Sequence, residues 1–240
     1  MESAHRYFRI GAPLILEWTH QSTGICAHKI CEGYRISASF TDFSVYTEDS
    51  DIDKEDTQTR GSSRPYLESL AVYRKICEKM PDYDTFLIHG SALALDGQAY
   101  LFTAPSGTGK STHAALWREC FGSRVTMIND DKPLIKVENE DIRVCGTPWS
   151  GKDDLNTNIT CPLHAVCFLE RGETPHISRM DPADTYVALY RQTYRPQSEH
   201  RMIKTFDMLA HIVNVCPVYK LKCNISLESA REAYFGIAPL

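Results

Sequence analysis

The segment "YLFTAPSGTGKSTHAALWRECFG", residues 100–122, constrains this 240-residue chain more than any other. An apolar, strand-like run ends in a glycine-rich loop, and a helical pattern follows at once. Strand, loop and helix in that order are what the phosphate-binding motif G-x-x-x-x-G-K-[ST] demands. Backbone N–H groups of such a loop converge on phosphate oxygens, and the helix N-terminus adds its free N–H groups and positive dipole end. Gly107 and Gly109 supply the backbone freedom. Ser106, Gly107, Thr108, Gly109, Lys110, Ser111 and Thr112 are therefore the expected nucleotide-binding residues. Lys110 would reach the β- and γ-phosphates and the Ser111 hydroxyl would face Mg²⁺, so ATP and Mg²⁺ are the implied cofactors. One position departs from the motif: Ala104 stands where the first glycine belongs. It lies at the strand end, where alanine serves if its φ is negative.

Downstream, "VTMINDDKP" reads as an apolar strand ending in Asn129, Asp130 and Asp131. Ligands of α/β sheets gather at the carboxyl ends of strands. Side chains alternate along a strand, so two adjacent carboxylates point differently and can divide the work. One would hold Mg²⁺, directly or through water, and the other would accept the proton of an incoming hydroxyl. Without the phosphate loop, the same residues would read as a polar turn.

Residues 5–46 hold short β-prone pieces ("YFRI", "LILEW", "YRISASF", "FSVY") with no sustained helical period. The acidic stretch of about 47–64 reads as an exposed loop. Its Asp49, Asp51 and Asp53 imitate the start of a calcium loop, but Lys54 and Arg60 stand where that motif needs glycine and glutamate. A helix is expected over "RPYLESLAVYRKICEK", stopped by Pro81. "TFLIHGSALALDGQAYLFTA" reads as strand, Asp-Gly turn, strand. "LIKVENEDIRVC" reads as a hairpin and "HAVCFLE" as a buried strand. The last third turns helical: "DPADTYVALYRQTY" with Asp181 as N-cap, "EHRMIKTFDMLAHIVNVC", and "SLESAREAYFG" after the strand "VYKLKC". This order makes the class α/β or α+β.

With 42% hydrophobic and 24% charged residues, the chain can build a core. A net charge of -5 points away from nucleic acid or an anionic membrane as main partner. No apolar run approaches the roughly 20 residues that span a bilayer. The N-terminal apolar stretch is broken by Pro13 and Glu17, so a secretory signal is not expected. The nine cysteines form no C-x-x-C pair and several lie in apolar runs. Reduced, buried thiols and a cytoplasmic location are the expectation.

The run "IHGSALALDGQAYLFTAPSGTGKST…INDD" resembles the catalytic domain of the HPr kinase/phosphorylase family over roughly residues 86–131. The shared features are a His-Gly pair (His89-Gly90), a hairpin, a phosphate loop, a helix and a double aspartate, with His89 preceding Lys110 by 21 positions. The resemblance implies a phosphoenolpyruvate-carboxykinase-like P-loop core, a mixed β-sheet with flanking helices, over 83–240. A small β-rich part with one helix would precede it over 1–82. It also implies that Asp131 is the proton acceptor, Asp130 the metal-side carboxylate, and His89 a neighbour of the transferred phosphate. Arg143 falls about where the family carries a glutamate metal ligand, and the family's glycine-rich signature is replaced by "GTPWSGKDDLN". HPr itself is thereby left open as the substrate. The replacement loop, with the Ser150-Gly151-Lys152 amides and Lys152 as its cation, is expected to hold the acceptor or the γ-phosphate. The other reading is an exposed loop whose Lys152 pairs with Asp153 or Asp154. Arg191 and Arg195 read as a solvated helix end rather than a phosphate clamp.

The function implied is an ATP- and Mg²⁺-dependent kinase acting on a hydroxyl. The acceptor would be a serine on a small protein or peptide, or a hydroxy metabolite, and a homo-oligomer is compatible with the sequence. The alternatives are a carboxykinase-like enzyme acting on an oxo acid and a nucleotide-binding regulator without transfer chemistry.

Overall fold

The computed structural model describes residues 6–10, 15–19, 31–57 and 61–237. The chain is a mixed α/β protein. Strands β1 (Arg6–Arg9), β2 (Ile15–Thr19), β3 (Arg35–Ile36) and β4 (Phe43–Tyr46) form a small sheet of order β3-β1-β2-β4, in which β2 and β4 are parallel. The β-prone pieces of the N-terminal part therefore do pair.

The acidic stretch corrects an expectation: Asp49–Asp56 is helix α1, not a loop. Its charges have partners on α2 (Arg64–Lys79), which the polar composition alone conceals. Asp51 and Glu55 pair with Arg74, Asp51 also with Lys75, and Asp49 with Arg64. Ile52 is buried between them, and the Glu48 N–H donates to Asp51 Oδ2 at 3.0 Å to close the first turn.

The large sheet runs β5 (Thr85–Leu87), β9 (Leu134–Glu138), β10 (Asp141–Cys145), β11 (Thr160–Arg171), β7 (Gln98–Thr103), β6 (Ser91–Leu95), β8 (Val125–Asn129). The long β11 forks it. Its first residues pair antiparallel with β10, its middle pairs parallel with β7, and its end pairs parallel with β13 (Val218–Cys223), which carries β12 (His176–Arg179) on its other edge. β12 is absent from the sequence reading. Its residues are mostly exposed and so lack an apolar run.

Alternation along the strands fills both faces. Leu101 and Val166 turn to α4 (Pro182–Gln192) and α5 (Glu199–Val215), packing with Leu189, Leu209 and Ile212. Tyr100, Phe102 and Cys167 turn to α3 (Lys110–Phe121) and α6 (Leu227–Gly236), packing with Trp117, Ala114 and Ala230. Asp181 caps α4 as expected, accepting from the Ala183 and Asp184 N–H groups.

Two features of the sheet place the site. β7, β11 and β13 are parallel to one another, and β8 runs the same way because β7 and β8 both lie antiparallel to β6. Their carboxyl ends share one edge. Second, "TFLIHGSALAL" is not one strand: it breaks at Ile88-His89-Gly90, sending β5 to β9 and β6 to β7. Gly90 crosses close to β7, where a Cβ would stand 3.0 Å from the Phe102 carbonyl oxygen. The break holds His89 at the edge: its N–H donates to Gln192 O at 2.8 Å and its carbonyl accepts from Thr103 Oγ1 at 2.7 Å.

Candidate active site

β7 ends in Thr103 and the loop 104–109 opens directly into α3. Gly107 (φ 78°) and Gly109 (φ 119°) sit in the left-handed region, which side chains disfavour. Ala104 is absent from the positive-φ residues, is fully buried, and packs with Phe102 and Trp117. Its methyl group belongs to the core, and no glycine is needed there. Lys110 is buried and folds back over the loop, donating to the carbonyls of Ala104 (3.0 Å) and Pro105 (3.4 Å). Burial lowers its pKa and the Asp131 charge pulls it back up. Ser106, Ser111 and Thr112 are exposed around the helix start, and Thr108 closes the turn on Pro105.

At the end of β8 the two aspartates part company. The fully buried Asn129 organises them: its Oδ1 accepts from the N–H groups of Asp131 (2.9 Å) and Lys132 (2.6 Å). Its Nδ2 donates to the carbonyls of Thr147 and Trp149 and to the Thr147 hydroxyl. Asp130 is buried, and its Oδ1 accepts from the Gly151 N–H at 2.5 Å. Burial raises its pKa, with the Asp131 charge adding to the rise. Asp131 is half-buried, with Oδ1 3.1 Å from His89 Nε2 and Oδ2 3.0 Å from Lys132 Nζ. Burial alone would raise it; the His89 hydrogen bond and the Lys132 charge outweigh that and hold it at about 2.

The loop after β10 is laced over this turn. Trp149 stacks on Tyr73 of α2, with ring centroids 4.3 Å apart, and its Nε1 donates to Ser69. The Tyr73 hydroxyl donates to Lys132 O at 2.7 Å. α2 is thus part of the site's wall. A pocket of about 480 Å³ opens between them, lined by Tyr66, Leu70, Asp131, Trp149, Ser150 and Lys152 among others. Lys152 is exposed and makes no ion pair among the described residues, so the alternative reading, in which it pairs with Asp153 or Asp154, is not seen. The Gly151 amide, expected to face phosphate or acceptor, is instead committed to Asp130. Arg143 pairs with Asp141 on β10, and Arg195 lies over the Tyr190 ring.

A family model described as SynChlorMet cassette protein ScmC matches residues 62–229. The chain belongs to the ScmC family. The matched stretch begins just before α2 and ends in α6, so the α2 wall falls inside the ScmC region. No curated protein matches the chain. Among solved structures, the Hpr(Ser) kinase/phosphatase from Coxiella burnetii aligns at 14% identity, with a TM-score of 0.36 over 62% of this chain and 97% of that one.

In this ScmC chain the fold brings Lys110, Asp131 and His89 to one edge, with Asp130 behind them and Lys152 on the pocket rim. Three participants escape the sequence reading. Lys132 is one; Asn129 is noted there only as a strand end. Arg171, whose Nη2 donates to the Gly107 carbonyl at 2.6 Å, comes from 64 residues away and carries no local signal.

Proposed function

We propose that this chain is an ATP- and Mg²⁺-dependent kinase that transfers the γ-phosphate to a hydroxyl, with a serine of a small protein or peptide as the acceptor. The observation that carries the reading is the meeting of Lys110 with the His89–Asp131 pair beside a glycine-rich loop and an open pocket. The core would be the P-loop core of the carboxykinase-like type. In the transfer, the acceptor oxygen forms its bond to the γ-phosphorus as the bridging bond to the β-phosphate breaks, and ADP leaves. The acceptor's proton goes to Asp131 Oδ1 or Oδ2. A carboxylate held at about 2 stays ionised at every working pH. It takes a proton late, which suits a loose transition state that asks mainly for positioning. His89 orients Asp131, and Lys110 carries charge on the phosphate side.

Mg²⁺ suits the oxygen donors present, because it retains waters and asks for one or two carboxylates plus substrate phosphates rather than a protein cage. Among the described residues no cluster of three or more His, Cys, Asp or Glu forms such a cage. Ser111 and Asp130 would hold it, and when bound it would neutralise phosphate charge. Lys152, which makes no ion pair among the described residues, would serve an anionic group of the acceptor.

The test is γ-labelled ATP with serine peptides, HPr-type proteins and small hydroxy acids. Label should move to an acceptor with the wild-type chain, and not with Lys110→Ala or Asp131→Asn. Nucleotide binding without transfer to any acceptor would favour a regulator, and oxaloacetate-dependent ATP consumption would favour a carboxykinase.

A further inference from the structure

On the side of the phosphate loop away from β8, the edge of the sheet carries a second pocket. β8 and β13 flank β7 on opposite sides, so the loop after β7 lies between Asp131 and the carboxyl ends of β11 and β13. This pocket, of about 430 Å³, is lined by Gly107, Gly109, His113, Arg171 and Ile225, together with neighbouring residues of the same turns. We infer that it receives the nucleoside half of the nucleotide, an inference that rests on reading the loop as a nucleotide site.

Four observations point the same way. The pocket is continuous with the phosphate loop, sharing its residues 107–109, and its volume is in the range of small-molecule sites. Among the described residues that line it there is no carboxylate to repel a polyphosphate next door. Its rim presents Ile225 with 84% of its surface exposed, the most exposed large hydrophobic residue among the described residues. An aliphatic side chain is a surface on which a flat base can pack. Finally, His113 lines the pocket and is 2% exposed, and among the described residues its Nδ1 has no hydrogen-bond partner. The Trp117 Nε1–H donates to His113 Nε2 at 3.0 Å. The neutral ring therefore carries its proton on Nδ1, a buried donor in want of an acceptor. A ribose oxygen or a ring nitrogen of the base is such an acceptor. The nucleotide is thereby given a direction: nucleoside toward β13, γ-phosphate toward Asp131. Arg171 is a positioning residue here, holding the Gly107 carbonyl where the two halves meet.

Calorimetry on the full chain with MgATP and with magnesium tripolyphosphate separates the two halves. The wild-type chain should bind ATP more tightly than tripolyphosphate. Ile225→Ser, at an exposed position that the fold does not need, should weaken ATP about tenfold, about 1.4 kcal/mol, and leave tripolyphosphate unchanged. Ile225→Leu should restore ATP binding, whereas Lys110→Ala should weaken both ligands. In ¹⁵N-histidine spectra the His113 Nδ1 resonance should move with ATP and stay with tripolyphosphate. An unchanged ratio of the two affinities in Ile225→Ser would overturn the inference while leaving the nucleotide reading intact. A wild-type chain that binds neither ligand would overturn the nucleotide reading, and this inference with it.

Discussion

Asp130 and Asp131 are adjacent in sequence and opposite in environment. Asp130 is buried against a backbone N–H, while Asp131 sits between an imidazole and an ammonium. Asp131→Asn should cut phosphate transfer by about 10²–10⁴-fold, the usual worth of a positioned proton acceptor, with nucleotide affinity kept. The same residue makes a pH prediction. Its folded pKa of about 2 lies below the unfolded value near 3.9, so its stabilisation is complete above about pH 4 and is lost as pH falls toward 2. In urea melts, the stability gap between wild type and Asp131→Asn should shrink over that window. Ala104 tests the loop's departure from its motif. Ala104→Gly should leave nucleotide affinity unchanged in calorimetry, since φ there already suits alanine. It should cost about 1 kcal/mol of stability through backbone freedom and the lost buried methyl.

At the scale of elements, the site depends on a loop tied down at several points. Gly151 approaches Asp130 so closely that a Cβ would stand 2.8 Å from its Oδ2. Gly151→Ala should force the 147–154 loop off the turn and destabilise the chain by about 1–3 kcal/mol, as overpacking does. Transfer should fall more than nucleotide binding, because the phosphate loop is untouched; thermal melts and a kcat-against-Kd comparison check both. The phosphate loop, the hairpin turn and the helix over 110–121 were readable because each depends on residues within a few positions. The split of "TFLIHGSALAL" into two strands was not. Its apolar run is continuous, and only the close crossing of Gly90 over β7 requires the break. The helix at 49–56 carries no local signal for a related reason, since its acidic face is stabilised by Arg74 and Lys75 on another helix.

For the whole molecule, the decisive contact is between the N-terminal part and the site. Tyr34, Val45, Tyr73, Ile76 and Met80 share one buried cluster with Leu134, Cys145 and Trp149. A chain cut to residues 83–240 would expose that surface and lose the Trp149–Tyr73 stack. Truncating even one large aromatic contact of this kind costs about 3–5 kcal/mol. The truncated chain should melt at lower temperature and with a broader transition than the full one, and should lack transfer activity. Among the described residues no helix is long and apolar enough to cross a membrane.

The sequence by itself determined the local chemistry. A glycine-rich loop between strand and helix, a lysine at the helix start, and two carboxylates at a strand end all follow from short-range patterns of shape and charge. Only the tertiary structure decided how that chemistry is shared out: which aspartate meets His89, which anchors Gly151 through one of its oxygens, which helix walls the pocket, and which arginine holds the loop. Those choices depend on strand order and on contacts between residues 21 to 80 positions apart. Burial and pairing there are properties of the packed sheet, and no local pattern of residues carries them.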